Sequence, residues 1–391
     1  MPGSFKISSH QLMILILLYS VGTVILHTPS PLAGFAKQDA WLAALIGTGI
    51  ALFFVWFYIR VGNLYPDLAL DQINEKVFGK IVGKMINLTF FIWSFSTSSE
   101  TIYYVGNFIE TFWMPDTTLL AVNILLAAVV IFTVRLGLET FTRTLEIFFI
   151  PVFLLLIVFL ISIIPEANIQ NILPVFEDGA KPVIRATLFY VSVFTLSPVM
   201  FLMIFPSKVS ERKKGGKAFY IGTLIGGIIL ILVIMLDILV LGPDTTARNI
   251  APSYTMAKKI NVGNFLMQIE AIIATIWIIT TYTRVVMYFY VSVVVFSNIF
   301  NIKDYRPFTT ALGMIMVFYS SIVFPTVPSS GEFNKNIWLF YAATYGLVMP
   351  LLLFITAKLK NIIKKPTIAN YDNKMHFSIW LDWMIVMNIY E

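Results

Sequence analysis

Long runs of apolar residues dominate the chain, separated by short clusters of charge, proline and glycine. A membrane-spanning helix needs about 20 consecutive apolar residues. Ten runs read as spans: 11–30, 39–60, 84–112, 118–135, 144–164, 181–205, 217–241, 265–299, 307–324 and 336–357. Two of them are interrupted. The first carries Gly22, Thr23, His27 and Thr28, then Pro29 and Pro31, in the stretch SVGTVILHTPSP. The sixth, YVSVFTLSPVMFLMIFP (190–206), has Ser192, Thr195, Ser197 and Pro198 in its middle. Proline removes a backbone donor and clashes with the preceding turn, so both runs predict broken helices.

The breaks suggest a repeat. Ten spans divide as five plus five, and an odd-numbered half repeated in tandem is inverted relative to its partner. Such repeats put a substrate site at the midplane, between discontinuous helices. The link after the second span of each half supports the division. PDLALDQINEKVFGK (66–80) spaces Leu70, Ile73 and Val77 along one helical face, and APSYTMAKKINVG (251–263) does the same with Tyr254, Ala257 and Ile260. The prediction is one all-α membrane domain over 1–365, with repeats at about 10–164 and 181–360, and a cytoplasmic tail at 366–391.

Composition agrees with this class. The chain is 58% hydrophobic and 12% charged, against roughly 45–50% and 25% in soluble domains. With the N-terminus inside, nineteen Lys and Arg fall in inner segments and seven in outer ones, Arg284 lying within a span. That bias places both termini in the cytoplasm, and the strongest signal is SKVSERKKGGK (207–217). A net charge of +6 therefore needs no nucleic acid to explain it. There is no Cys, so no disulfide, thiolate metal site or Cys nucleophile, and three His leave little for a metal centre. No cleaved signal peptide is expected. KVFGKIVGK (76–84) lacks the spacing of a phosphate loop. No catalytic constellation or cofactor motif emerges, so the expectation is a protein that is not an enzyme and takes no cofactor.

Several motifs together carry a resemblance. ILHTPSPLAGFAKQDAWLAALIG (25–47), YPDLALDQINEKVFGKIVGK (65–84), RLGLETFTRTLEIFFIPVF (135–153), NILPVFEDGAKPVI (171–184), FLMIFPSK (201–208), IEAIIATIWIITTYTRVVMYFY (269–290) and IKDYRPF (302–308) run in colinear order. In these the chain resembles the spore germination receptor B subunits, a family similar to the amino acid–polyamine–cation transporters. The resemblance implies a LeuT-like fold with spans one and six broken. It also implies a place in the inner membrane of the spore and the sensing of a small nutrient, often an amino acid, beside a larger membrane subunit and a lipoprotein subunit. One departure stands out. Where the family often reads Pro-Phe-Gly-Glu in span six, this chain has VFTLSP (193–198), with Ser197 about where the Glu falls.

A broken helix exposes N–H and C=O groups that must find partners in protein, water or ligand. Gly22, Thr23 and Val24 are therefore candidate ligand contacts through their backbone, faced by Ser192, Thr195 and Ser197. Glu100 lies midway along span three and Arg284 near the middle of span eight; intramembrane charges are functional candidates. Either the two approach each other or share a ligand, or they form a structural ion pair, or Glu100 is protonated among its Ser and Thr neighbours. Tyr103 and Thr280, one turn away from each, join the candidate set. Asp237 falls late in span seven, where it would reach the outer headgroups. Glu139, Arg143 and Glu146 read as an ion-paired anchor, and His27 as a structural residue. Pro29 and Pro31 are expected to end the first helix. The function expected is nutrient sensing; the rival is an ion- or proton-coupled amino acid transporter, and a scaffold without ligand is the third reading.

Overall fold

The computed structural model describes residues 6–259 and 269–363. Residues 366–391 and Ile260 lie outside them. The described chain is helical apart from a short parallel pairing of Ile7 with Val209. That pairing, with Ile7 N–H donating to Lys208 O at 2.9 Å, marks what we term the near face; the opposite side is the far face.

The first span is α1 (Ser9–Val21), a break at Gly22–Thr23, then α2 (Val24–His27) and α3 (Pro29–Ala36). Thr28 keeps right-handed helical angles (φ −78°, ψ −31°), so α2 and α3 run on as one segment. Contrary to the expectation from the sequence, the prolines do not end this helix. Pro29 occupies the first position of α3, where a missing N–H is tolerated, and the segment stops only before Lys37. The remaining spans of the first half are α4 (Ala40–Gly62), α6 (Lys80–Phe112), α7 (Leu119–Leu136) and α8 (Leu138–Ile163). The amphipathic α5 (Leu70–Phe78) links the second and third, with Leu70, Ile73 and Val77 buried together.

The second half opens with α9 (Ala180–Tyr190), which passes through a π turn at Val191–Thr195 into a 3-10 stretch at Ser197–Met203. It continues with α10 (Arg212–Leu241) and then two short helices, α11 (Pro243–Arg248) and α12 (Pro252–Ala257), where the sequence suggested one. α13 (Ile269–Ile299), α14 (Arg306–Ile322) and α15 (Val327–Asn336) follow. The last span is α16 (Trp338–Ala343), a π turn at Thr344–Val348, and α17 (Met349–Ile363).

Among the described residues, eight stretches are long and apolar enough to cross a bilayer. α6 and α14 complete the ten. α6 is 33 residues long but carries the polar run SFSTSSET (94–101) at its middle, and α14 has only 17 residues. Counterparts from the two halves pack on each other: α4 on α10, α6 on α13, and α7 on α14. Glycine permits the tightest of these approaches. A Cβ at Gly227 on α10 would come within 2.3 Å of Thr48 on α4, and one at Gly313 on α14 within 2.3 Å of Ile131 on α7. On the near face Glu139 pairs with Arg143 at 2.6 Å, while Glu146 meets His10 of α1 at 3.1 Å. The expected anchor is therefore split between a pair within α8 and a tie to α1. Asp237 is fully buried rather than at the headgroups, because α12 folds over this end of α10.

Candidate functional site

The two breaks are brought together by one side chain. Arg284, on α13 and 4% exposed, donates from Nη1 to Thr23 Oγ1 at 3.1 Å. Its Nη2 donates to Val193 O at 2.7 Å and lies 3.0 Å from Ser197 Oγ. The guanidinium also sits over the Tyr19 ring, 5.1 Å from its centroid. Gly22 makes room for this arginine. A Cβ there would come within 3.0 Å of Arg284 Cδ and 2.9 Å of Tyr19 O.

Three of the carbonyls in the break of span six are answered by side chains. Ser192 O accepts from Trp338 Nε1 at 3.3 Å, and Val193 O from Arg284. The Tyr19 hydroxyl donates to Ser197 O at 3.2 Å, while the Tyr58 hydroxyl, 3.2 Å from Leu196 O, has its nearer acceptor in Gly346 O of the last span at 2.8 Å. Backbone groups without helical partners inside a bilayer must be satisfied in this way.

Beside Arg284 lies a cavity of about 80 Å³ lined by Thr23, Thr97, Glu100, Thr101, Val193 and Trp338, among others. Glu100 is 6% exposed. Its carboxylate takes part in no hydrogen bond or ion pair among the described residues, and it is not paired with Arg284. An acid and an arginine therefore share a cavity without pairing directly. Arg284 has five N–H donors, and three hydrogen bonds to protein are formed.

The sequence-predicted residues separate into groups. Thr23, Glu100 and Arg284 line the cavity. Ser197 stands behind it, bonded to Arg284, and Gly22 packs on the arginine stem. Val24 is buried beside the break, outside the cavity lining. Ser192 and Thr195 turn away: their hydroxyls donate to Phe189 O at 2.6 Å and to Gly47 O at 3.2 Å. Tyr103 packs edge-on against Phe324. Thr280 bonds back to its own helix and borders a separate apolar crevice with Leu17 and Phe149.

Tyr104 lines the cavity in place of Tyr103. In a helix of 3.6 residues per turn, i+4 lies closer to the stripe of residue i than i+3 does. Thr97, Glu100, Thr101 and Tyr104 form one such stripe, a spacing that the sequence contained. Asn334 and Trp338 had no such signal, since they come from α15 and the start of α16. Pro31, expected only to end a helix, also lines the cavity.

A second cavity of about 310 Å³ opens on the far-face side, lined by Ser30, Asn107, Arg248, Asn249, Ser330 and Lys335 among others. His27, Pro31, Tyr104 and Asn334 border both cavities. They form a neck between them. Across it Asn334 Nδ2 donates to the Tyr104 hydroxyl at 2.7 Å. His27 lies against Tyr104 and Trp277 and contacts Ile250 O at 3.3 Å.

Comparison with known proteins fits this architecture. Spore germination protein KB of Bacillus subtilis (strain 168) is 29% identical over 362 residues, covering 90% of this chain and 94% of the relative. The putative spore germination protein YfkT of the same organism is 26% identical over 355 residues, covering 91% and 97%. Among solved structures, Mhp1, a nucleobase-cation-symport-1 family transporter in a closed conformation, superposes with a TM-score of 0.63 at 10% identity, covering 92% of this chain and 91% of that one. A manganese transporter of Eremococcus coleocola gives 0.57 at 12% identity, covering 97% and 91%. These likenesses show the LeuT-like transporter fold. A family model described as "Spore germination protein" matches residues 6–327, and the chain belongs to that family of integral membrane proteins.

Proposed function

We propose that this chain is the nutrient-sensing membrane subunit of a spore germination receptor, and that it binds a small zwitterion such as an amino acid in the central cavity. The reading rests on one observation: Arg284 and Glu100 line the same cavity beside the two breaks without pairing with each other. A ligand carboxylate would take the remaining N–H groups of Arg284, and an ammonium would face Glu100. The volume suits a ligand of few heavy atoms rather than a drug-sized one. Binding would act by favouring one arrangement of the two repeats over the other, since only differential affinity shifts an equilibrium.

The near face is assigned to the cytoplasm, with the far-face vestibule outside, in the inner membrane of the spore. A larger membrane subunit and a lipoprotein subunit of the same receptor would read the shift. The test is thermal-shift and calorimetric titration of the purified chain with small amino acids. Glu100→Gln removes the carboxyl that would pair with the ligand ammonium and is expected to weaken a responding ligand about tenfold to a hundredfold, as loss of a charge-assisted bond does. Equal affinity in wild type and variant would reject the site. Concentrative uptake into proteoliposomes would favour a coupled amino acid transporter instead.

A further inference from the structure

Away from the cavity, a second acid is buried with an uneven set of donors. Asp237 on α10 and Ser253 on α12 are both 0% exposed. Ser253 Oγ lies 2.7 Å from Asp237 Oδ2 and 2.8 Å from Ile25 O on α2. Ile25 O would ordinarily accept from the residue four positions on. That residue is Pro29, which has no N–H. Ser253 is therefore the donor to this carbonyl, and a hydroxyl has one proton to give.

Both separations are hydrogen-bond lengths. Two bonds in series need two protons, and Ser253 supplies one. The other must come from the carboxyl. If Asp237 were ionised, Ser253 could satisfy it or Ile25 O but not both. The loser would be an unpaired acceptor in a dry interior, at a cost comparable to a lost hydrogen bond. Asp237 Oδ1 has no partner either, which a neutral carboxyl tolerates far better than a carboxylate.

The ionisable groups on the elements packed around this end of α10 are occupied elsewhere or exposed. His27 faces Ile250 O, Lys259 donates to Val240 O, Lys258 lies over Tyr254, and Tyr254 accepts from Trp113. Lys37 pairs with Asp178, while Glu166, Asp244 and Arg248 are exposed. None bonds or ion-pairs with Asp237 among the described residues.

We propose that Asp237 is a proton-binding site, and that its proton, relayed through Ser253 to the carbonyl freed by Pro29, fastens the far half of the first span to α10 and α12. The bound species is a proton taken from water onto one carboxylate oxygen. Its loss would withdraw the Ser253 hydroxyl from Ile25 O and free α2 from α12. The inference is independent of any ligand in the central cavity.

The test is infrared spectroscopy of the purified full chain at neutral pH in H₂O and D₂O. A protonated-carboxyl C=O band is expected that Asp237→Asn abolishes and Glu100→Gln leaves in place. Ser253→Ala should shift that band, because it removes the partner of the carboxyl, and this variant answers the question should Asp237→Asn fail to fold. Asp237→Asn, whose amide can donate to Ser253, should unfold close to the wild-type temperature, whereas Asp237→Leu should not. A spectrum in which neither Asp237→Asn nor Ser253→Ala changes a carboxyl band overturns the proposal. So does a band that appears only when Na⁺ is withdrawn, which would assign the same oxygens to a metal cation.

Discussion

Arg284 joins a hydroxyl from one break to a hydroxyl and a carbonyl from the other. Bonds of this charge-assisted kind are each worth about 1.5–3 kcal/mol. Arg284→Met should therefore lower the unfolding temperature of the purified chain, by the equivalent of about 3 kcal/mol or more. Arg284→Lys, a single point of charge without the planar fork, should fall between the two. A Lys variant as stable as wild type would show that the fork is not what holds the breaks. Glu100 and Arg284 were legible in the sequence because charge inside an apolar run is rare and needs a reason. Tyr103 and Thr280 were harder to place. Sequence spacing assigns a helical face only to within a residue, and which face meets the cavity depends on how α6 and α13 pack.

Breaks and caps act as units at the level of elements. The sixth span keeps its π turn because Trp338, Arg284 and Tyr19 take carbonyls it frees. The sequence located this break through Ser192 to Pro198, but Tyr19 and Trp338 lie far away in the chain and gave no sign of the role. On the near face α5 is fastened in a similar way. The carboxyl of Asp71 accepts from Asn298 of α13, and Asp71 O accepts from Asn87 of α6 at 3.0 Å. Burial raises the Asp71 pKa above its ordinary 3.8, against a smaller opposing effect of the Asn298 hydrogen bond. An acid whose folded pKa is raised contributes most to stability below its unfolded value. That contribution is lost as pH rises through the folded value. Asp71→Asn should accordingly flatten the rise in stability on acidifying from neutral pH toward 3.8, in thermal unfolding measured across that range. An unchanged pH profile would assign the dependence to another group.

For the whole molecule, ten spans and their division into two halves could be read from apolar runs, the lysine–arginine bias and two linkers of opposite side. Hydrophobic periodicity carries that much because a bilayer admits few alternatives to a closed helix. Helix ends were less legible: the first span runs to Ala36, since a proline at a first helical turn leaves the helix intact. The chain has no cysteine, so single cysteines report sidedness without background. Asn249→Cys in the vestibule should label with an impermeant maleimide from outside intact cells or vesicles of native orientation. Lys213→Cys on α10 should label only after permeabilisation, and the reverse pattern would invert the assigned topology.

The neck bears on time rather than affinity. On the proposed function, a ligand moving between the far-face cavity and the central cavity would pass Tyr104 and Asn334, whose side chains are bonded across the neck. A barrier crossed on the way in and on the way out slows association and dissociation by the same factor and cancels from their ratio. In stopped-flow measurements, Asn334→Ala should accelerate both rates while leaving the dissociation constant nearly unchanged. A change in one rate alone would mean that Asn334 touches the ligand. With the bond intact, residence in the cavity can outlast a brief fall in outside concentration, so even a modest affinity can give a lasting response.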